Sequence, residues 1–570
     1  MSLAGYARAA SSQWGVAACV AACAWFTWEL LTPATFIDDA YISFRYARNL
    51  VEGHGLVWNA GERVEGITNL LWTLCIAAGM ALGAEAGTVA HAMSLLCGVG
   101  ALVLCYATAR EGLPERQRAA AGVAPWLLLS TVAFPIWARS GLEAPMVALW
   151  SALAAWALVT ERPWLATLAV SLACLTRPDG ILLVPPLLVW GVADPREGFK
   201  RMVRRAAPHA AVVALALVAI SGFRFAYYGA PLPNTFYAKV GGIPWHAGVA
   251  YMLAFLFSGV LLWLPFAFSG TGAEETCEDR AHGRLRRATA GWLVLHILYN
   301  LAIGGDAFLH SRFFIAVLPP LCALTAIGTA RALSLDGIRS GILAGACLVA
   351  FIGASWLGQP YASAFYASAG LIAVVSAWTG RSEWRAEGLA LGCAVLAACL
   401  AFVRPPALQG ELLFQNANLA SPRGLGRAEC IRFAERFNGW SGRMVDSLAA
   451  RIKAHAPVPS PIAAVAIGRL GYRVPVRIID VLGLTEPAIA RAGSDETTDN
   501  ALPGHQRSNA DHVLLQAPAL ILMPRNAAIS LPAVQALVQH PDFTRNYTYD
   551  PSLPGYRRQA PHDARPATRP

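Results

Sequence analysis

Lysine is almost missing from this 570-residue chain, occurring only at Lys200, Lys239 and Lys453, so arginine carries nearly all of the positive charge. Charged residues make up 14% of the sequence against 56% hydrophobic, and mean hydropathy is +0.46, which excludes an ordinary soluble domain. No CxxC pair occurs. Ten of the twelve cysteines lie in or beside apolar stretches, with Cys277 in a loop and Cys430 alone in the C-terminal part, a distribution that argues against a disulfide framework and a structural zinc site. Walker, HExxH and GxSxG motifs are absent, as is a Rossmann glycine pattern leading a βαβ unit, so a nucleotide-sugar donor is disfavoured. The net charge of +10 does not signal nucleic acid. Most arginines fall in short loops between apolar segments, where the positive-inside rule places them.

What the sequence does contain is a series of apolar runs. The first, about Trp14 to Leu31, is long enough to cross a bilayer, which needs ~20 residues, and lacks a cleavage site, so it reads as an uncleaved first span. With Arg8 cytoplasmic, the loop after it is extracytoplasmic. Ile67 to Leu82 reads as a juxtamembrane or re-entrant helix, because counting it as a span would put Arg110, Arg116 and Arg118 outside. Further spans are expected near 88–109, 119–137, 143–160, 164–176, 180–193, 209–228, 247–268, 288–303, 312–330, 341–357, 362–379 and 388–403. This gives a polytopic α-helical membrane domain of about thirteen spans over residues 1–403, with a first outer loop at 33–87. From Arg404 the composition turns polar and proline-rich, with short β-like runs at Ile462–Ile467, Val474–Val481 and Ala519–Met523. Residues 404–570 therefore read as a soluble extracytoplasmic α/β domain, with a disordered tail at 559–570.

The stretch from Phe36 to Trp72 is the most informative. It sets two carboxylates, Asp38 and Asp39, where the first span ends, and continues with helical periodicity. Arg45, Arg48, Asn49 and Glu52 share one face, with Ala40, Phe44, Ala47, Leu50 and Val51 opposite, the pattern of a helix lying on a membrane surface. Acidic residues at a helix start can be simple caps. The outer loops further along add chemistry of both signs. Arg139 and Glu143 lie four apart in WARSGLEAP, the spacing of an ion pair, and TRPDG carries Arg177 and Asp179. GAPLPNTFYAKVGG holds Asn234, Tyr237 and the only lysine of the expected outer membrane loops, Lys239. GGDAFLHSRFF places Asp306, His310 and Arg312 between apolar helices, where charges cost at least ~2.5 kcal/mol each and tend to mark function. Transfer of a sugar from a lipid phosphate needs a base for the acceptor hydroxyl and cations for the departing phosphate.

DDAYISFRYARNL, GHGL, GERVEGITN and SGLE resemble the terminal arabinofuranosyltransferases of mycobacterial cell-wall assembly, within the GT-C superfamily of polytopic glycosyltransferases. In the C-terminal part, IGRLGYRVPVRIIDVLGLTEPAIAR and PGHQRSNADHVL resemble the extracytoplasmic domain of their bacterial relatives, although Asp480 and His505 read equally as turn or cap residues. The resemblance implies a bacterial inner-membrane enzyme that moves a sugar, D-arabinofuranose by this reading, from a polyprenyl-phosphate donor to a glycan or glycoprotein acceptor on the periplasmic side. It implies Asp38 as general base, with Asp39 orienting the acceptor or a divalent cation, the only cofactor left open. Arg45, Lys239 and Arg312 would bind the donor phosphate, and Glu143, Asn234, Tyr237, Asp306 and His310 the sugar or acceptor. Two other readings stay open. One is a GT-C transferase carrying mannose or another hexose to lipopolysaccharide or a protein such as pilin. The other is a polyprenyl-lipid or solute transporter, whose polar residues would be expected near the bilayer midplane rather than in outer loops.

Overall fold

The computed structural model describes residues 3–31, 36–131, 133–194, 196, 198–239, 245–256, 260–268, 277–306, 310–332, 427–492, 507–523 and 531–559. The spans expected at 341–357, 362–379 and 388–403, together with His505 and nearly all of the tail, lie outside these residues. The chain divides into two compact units. One comprises Met1–Ala34, His91–Val218 and Trp245–Glu435; the other comprises Thr35–Ala90, Ala219–Pro244 and Arg436–Pro570. The boundary expected at 404 lies outside the described residues. The first outer loop and residues 219–244 group with the C-terminal part, because their buried polar side chains bond to it.

The first unit is a bundle of apolar helices. Four described helices are long and apolar enough to cross a membrane: Gln13–Leu31, Ala86–Glu111, Phe199–Tyr228 and Arg312–Arg331. At ~1.5 Å per residue the 30 residues of Phe199–Tyr228 extend ~45 Å, beyond the ~30 Å hydrocarbon core. That helix begins ten residues before the expected span and takes in Lys200, Arg201, Arg204 and Arg205. Two expected spans are broken. Residues 119–137 form a 3-10 turn, Glu115–Gly122, and two short helices, Val123–Ser130 and Ala133–Ala138. Pro178–Val192 passes from 3-10 through a short α-helical turn to π geometry, since Pro185 and Pro186 remove two backbone donors from its centre. The bundle packs on small residues: a Cβ on Gly122 would meet the Ala18 methyl at 2.7 Å and the Gly15 carbonyl at 3.1 Å.

The second unit holds a five-stranded sheet of order β2-β1-β3-β5-β4, with β1 Ile462–Ala464, β2 Ile478–Asp480, β3 Leu520–Leu522, β4 Tyr547–Asp550 and β5 Gly555–Arg558. β1 pairs in parallel with β2 and β3, while β5 is antiparallel to β3 and β4. Ile479, Val481, Ile521 and Val513 are fully buried in its core, beneath the helix Pro532–Gln539. The outer-loop helix Asp38–Val51 packs on two neighbours, the 12-residue helix Leu70–Ala81 and the short helix Gly468–Arg473. Its polar face is therefore not turned to water at a membrane surface, as its periodicity suggests. Asp38, Tyr41, Arg45 and Arg48 recur every three or four residues along one stripe, and that stripe meets residues 467–476 of the C-terminal part.

Candidate active site

In the loop-and-domain unit the carboxylate pair opens the helix Asp38–Val51. Asp38 does not cap its own helix. Its two oxygens accept the backbone N–H groups of Gly468 and Arg469, at 2.8 and 2.9 Å. Arg469 then turns its guanidinium away, donating twice to Asp446 at 2.9 and 2.6 Å and lying 5.0 Å from the Tyr41 ring. Burial raises the Asp38 pKa above the ordinary carboxylate value, opposed by the Arg469 N–H and reinforced by the charge of Asp39. Among the described residues no hydrogen bond or ion pair holds Asp39, which is partly exposed. The result is one fixed carboxylate with raised proton affinity beside a partly exposed one that no bond among the described residues engages.

Arg45 has a different place from the one expected of a phosphate ligand. It is 5% exposed and donates to the carbonyls of Trp58 (2.7 Å), Gly471 (2.7 Å) and Val476 (2.8 Å) and to the Asn59 amide oxygen (3.2 Å), with its guanidinium 4.4 Å from the Trp58 ring. Burial lowers its pKa to about 10, so it remains charged at neutral pH. Oxygen acceptors already surround the fork. Arg45 ties the outer loop to the C-terminal domain and is not disposed toward a donor.

Asn234 is likewise a tie. Its amide donates to the carbonyls of Gly483 and Leu484, both at 2.9 Å, and its backbone N–H to the Glu65 carbonyl at 2.9 Å. Glu65, from the GERVEG motif, is 2% exposed and receives the Arg224 Nε at 2.8 Å, a buried pair not picked out from sequence. Tyr237 and Lys239 lie further along, on the helix Asn234–Lys239. The Tyr237 ring is 5.0 Å from the Arg491 guanidinium, and Lys239 is exposed. Asp480 caps the turn after β2, its oxygens accepting the N–H groups of Leu482 (2.9 Å) and Thr485 (3.0 Å), and burial pushes its pKa up to about 7.

In the membrane unit the residues of three separate loops converge. Arg177 forks onto Asp179 with two bonds of 2.9 Å and lies 3.6 Å from Glu143. Arg312 pairs with Asp306 at 2.8 Å, and the Phe313 ring joins the two groups, 5.0 Å from Arg177 and 5.3 Å from Arg312. Trp137 lies 5.0 Å from Arg312 on another side and donates its indole N–H to the His310 carbonyl at 3.0 Å. His310 is buried in left-handed backbone, and burial lowers its pKa to about 4, leaving it neutral. Arg177 and Asp179, from the TRPDG stretch, stand at the centre of this cluster. Among the described residues no group of three or more His, Cys, Asp or Glu side chains is arranged to hold a metal.

Residues 70–223 match the family model of the dolichyl-phosphate-mannose-protein mannosyltransferases, a GT-C family, and residues 434–562 match that of a domain of unknown function. The chain is 28% identical over 538 residues to a terminal beta-(1->2)-arabinofuranosyltransferase of Mycobacterium tuberculosis, covering 85% of this chain and 82% of that protein. The resemblance seen in the first outer loop thus extends along most of the chain. A Corynebacterium glutamicum protein of the same name is 28% identical over 355 residues, covering 52% of this chain and 48% of its own. Among solved structures, ArnT from Cupriavidus metallidurans bound to undecaprenyl phosphate aligns at 16% identity and a TM-score of 0.44, over 83% of this chain and 87% of that one. The oligosaccharyltransferase of Archaeoglobus fulgidus aligns at 12% identity and a TM-score of 0.44, over 82% and 64%.

Proposed function

We propose that this membrane glycosyltransferase moves D-arabinofuranose from a polyprenyl phosphate to a cell-envelope acceptor on the periplasmic face of a bacterial inner membrane. The observation that carries the reading is the carboxylate pair that opens the outer-loop helix, one member fixed and raised in proton affinity, in a chain related to arabinofuranosyltransferases. Asp38 removes the acceptor hydroxyl proton as that oxygen bonds to the anomeric carbon. The bond from the anomeric carbon to the phosphate oxygen breaks, and its electron pair leaves with the polyprenyl phosphate. Asp39 orients the acceptor hydroxyl. Lys239, an exposed ammonium after a proline- and glycine-bounded turn, steadies the leaving phosphate. In the membrane unit, Arg312 is assigned to an anion it must share with Asp306, while Glu143, Asp306 and His310 are assigned to sugar hydroxyls. A polyprenyl-phosphate hexose is the second reading, favoured by the mannosyltransferase match over residues 70–223.

The test is transfer by the purified full chain from synthetic polyprenyl-phospho-arabinofuranose to a short arabinan, beside Asp38→Asn with its folding checked. The expected result is a fall in kcat of roughly 10² to 10⁴ with donor KM little changed. Undiminished turnover in the variant sinks Asp38 as base. Transfer from a hexosyl lipid but not the pentosyl one replaces the sugar, and no transfer from any lipid donor removes the proposal altogether.

A further inference from the structure

The helices of the membrane unit carry polar residues at both ends. Glu143, Arg177 and Asp179 stand at one end of Ala144–Val159, Pro163–Thr176 and Pro178–Val192. At the opposite end, where Val159 turns toward Pro163 and the third segment finishes, lies a cavity of about 330 Å³. Its polar lining is Glu161, Arg162, Arg205, His209 and Arg284, from three different segments of chain. Arg284 forms an ion pair with Glu161, so three guanidiniums meet a single lining carboxylate. The wall is ordered by its own contacts: His209 Nδ1 lies 2.7 Å from the Thr167 hydroxyl, its ring stacks 4.0 Å from Trp164, and Arg162 lies 5.0 Å from the Trp156 ring.

Apolar surface leads away from this basic cavity along two helices. Trp164 and Leu168 on Pro163–Thr176 are 55% and 51% exposed, and Leu215, less than two turns beyond His209, is 69% exposed. A free phosphate or a soluble anion in the cavity makes no contact with these flanks, which are the outward surfaces of apolar helices. An amphiphile does, with its anionic group among the arginines and its chains against Leu168 and Leu215. We infer that this cavity binds the phosphodiester head group of an anionic phospholipid, at the end of the helices opposite to the Glu143, Arg177 and Asp179 cluster. The assignment does not depend on which sugar the enzyme transfers or on Asp38. Its physical basis is the pairing of planar arginine forks with phosphate oxygens near a membrane interface.

Native mass spectrometry of the full chain in detergent tests it, with phosphatidylglycerol, phosphatidylcholine and inorganic phosphate as probes. Arg162→Gln with Arg205→Gln removes two charges from the cavity. Arg201→Gln with Arg204→Gln removes two exposed charges from the same helix outside it. The cavity pair is expected to lower phosphatidylglycerol retention roughly 30-fold, and the outer pair only a few-fold, because Arg201 and Arg204 do not line the cavity and contribute only long-range attraction that salt screens. Arg162→Lys with Arg205→Lys should retain the lipid to within a few-fold, separating charge loss from misfolding. Equal losses in the two glutamine pairs would overturn the inference, since attraction would then be diffuse. Retention of phosphatidylcholine equal to that of phosphatidylglycerol, or full displacement by millimolar inorganic phosphate, would overturn it as well.

Discussion

Replacing Gly468 by alanine should lower turnover on the order of 10²-fold while leaving the proposed base, Asp38, in the sequence. A Cβ at Gly468 would lie 1.9 Å from the Asp38 carbonyl oxygen, 2.7 Å from its carbonyl carbon and 3.0 Å from Oδ2. The nearest atoms are backbone and cannot swing aside, so the two segments must part by about 1 Å to relieve the overlap. The N–H bonds at 2.8 and 2.9 Å would then stretch beyond good geometry. Two effects result. A 1 Å misplacement of the base costs on the order of 10²-fold in kcat. Because the Gly468 and Arg469 N–H groups hold the Asp38 pKa down against burial, weakening them lets it rise further, and the acid limb of the kcat/KM–pH profile moves to higher pH. The assay is transfer from polyprenyl-phospho-arabinofuranose across pH 5 to 9, with Asp38→Asn in parallel and thermal unfolding to confirm that the variant folds. A folded Gly468→Ala protein with turnover within about twofold of wild type and an unmoved acid limb would refute the reasoning, provided Asp38→Asn is inactive.

Three further outcomes are expected. Lys239→Ala should raise donor KM or slow departure of the phosphate by roughly 10- to 100-fold, as for loss of a charged hydrogen bond, while acceptor KM stays within twofold in steady-state kinetics. Arg45→Ala should lower stability by roughly 3 kcal/mol or more in detergent unfolding, because four oxygen acceptors lose their donor; donor KM of the protein that folds should not change. Asp480 has a folded pKa raised to about 7, so it favours the folded state below about pH 4, and that contribution is lost as pH rises through 7. The melting temperature of the wild type relative to Asp480→Asn should therefore fall between pH 4 and pH 8, and a difference independent of pH would contradict the burial of this carboxyl.

The class of the protein was legible in composition, since a chain with so few charges and such long apolar runs has few stable arrangements other than a helical membrane domain. The short runs at 462–467 and 519–523 likewise marked β1 and β3, because buried strands read as brief continuous apolar segments, and the run at 474–481, though interrupted by Arg477 and Asp480, contains β2. The continuity of the spans was harder to read. Pro185 and Pro186 lie within an apolar run that hydropathy alone scores as one crossing, yet backbone hydrogen bonding breaks there.

The candidate site was legible as residue types and illegible as partnerships. Asp38, Asp39, Glu143, Asp306 and Arg312 could be singled out because charges beside apolar helices are costly and therefore rarely incidental. Periodicity also placed Arg45 and Asn49 together on one face of their helix, but a polar face is the same pattern whether it meets water or the carbonyls of another segment. The sequence by itself determined that a carboxylate pair would open an amphipathic helix after a first apolar span. Only the tertiary structure decided that Gly468 and Arg469, more than 400 residues away, hold one of those carboxylates, and that Arg45 is consumed in holding them there. Hydrogen-bond partners at that separation are set by which segments fold against each other, and helical period carries no information about them.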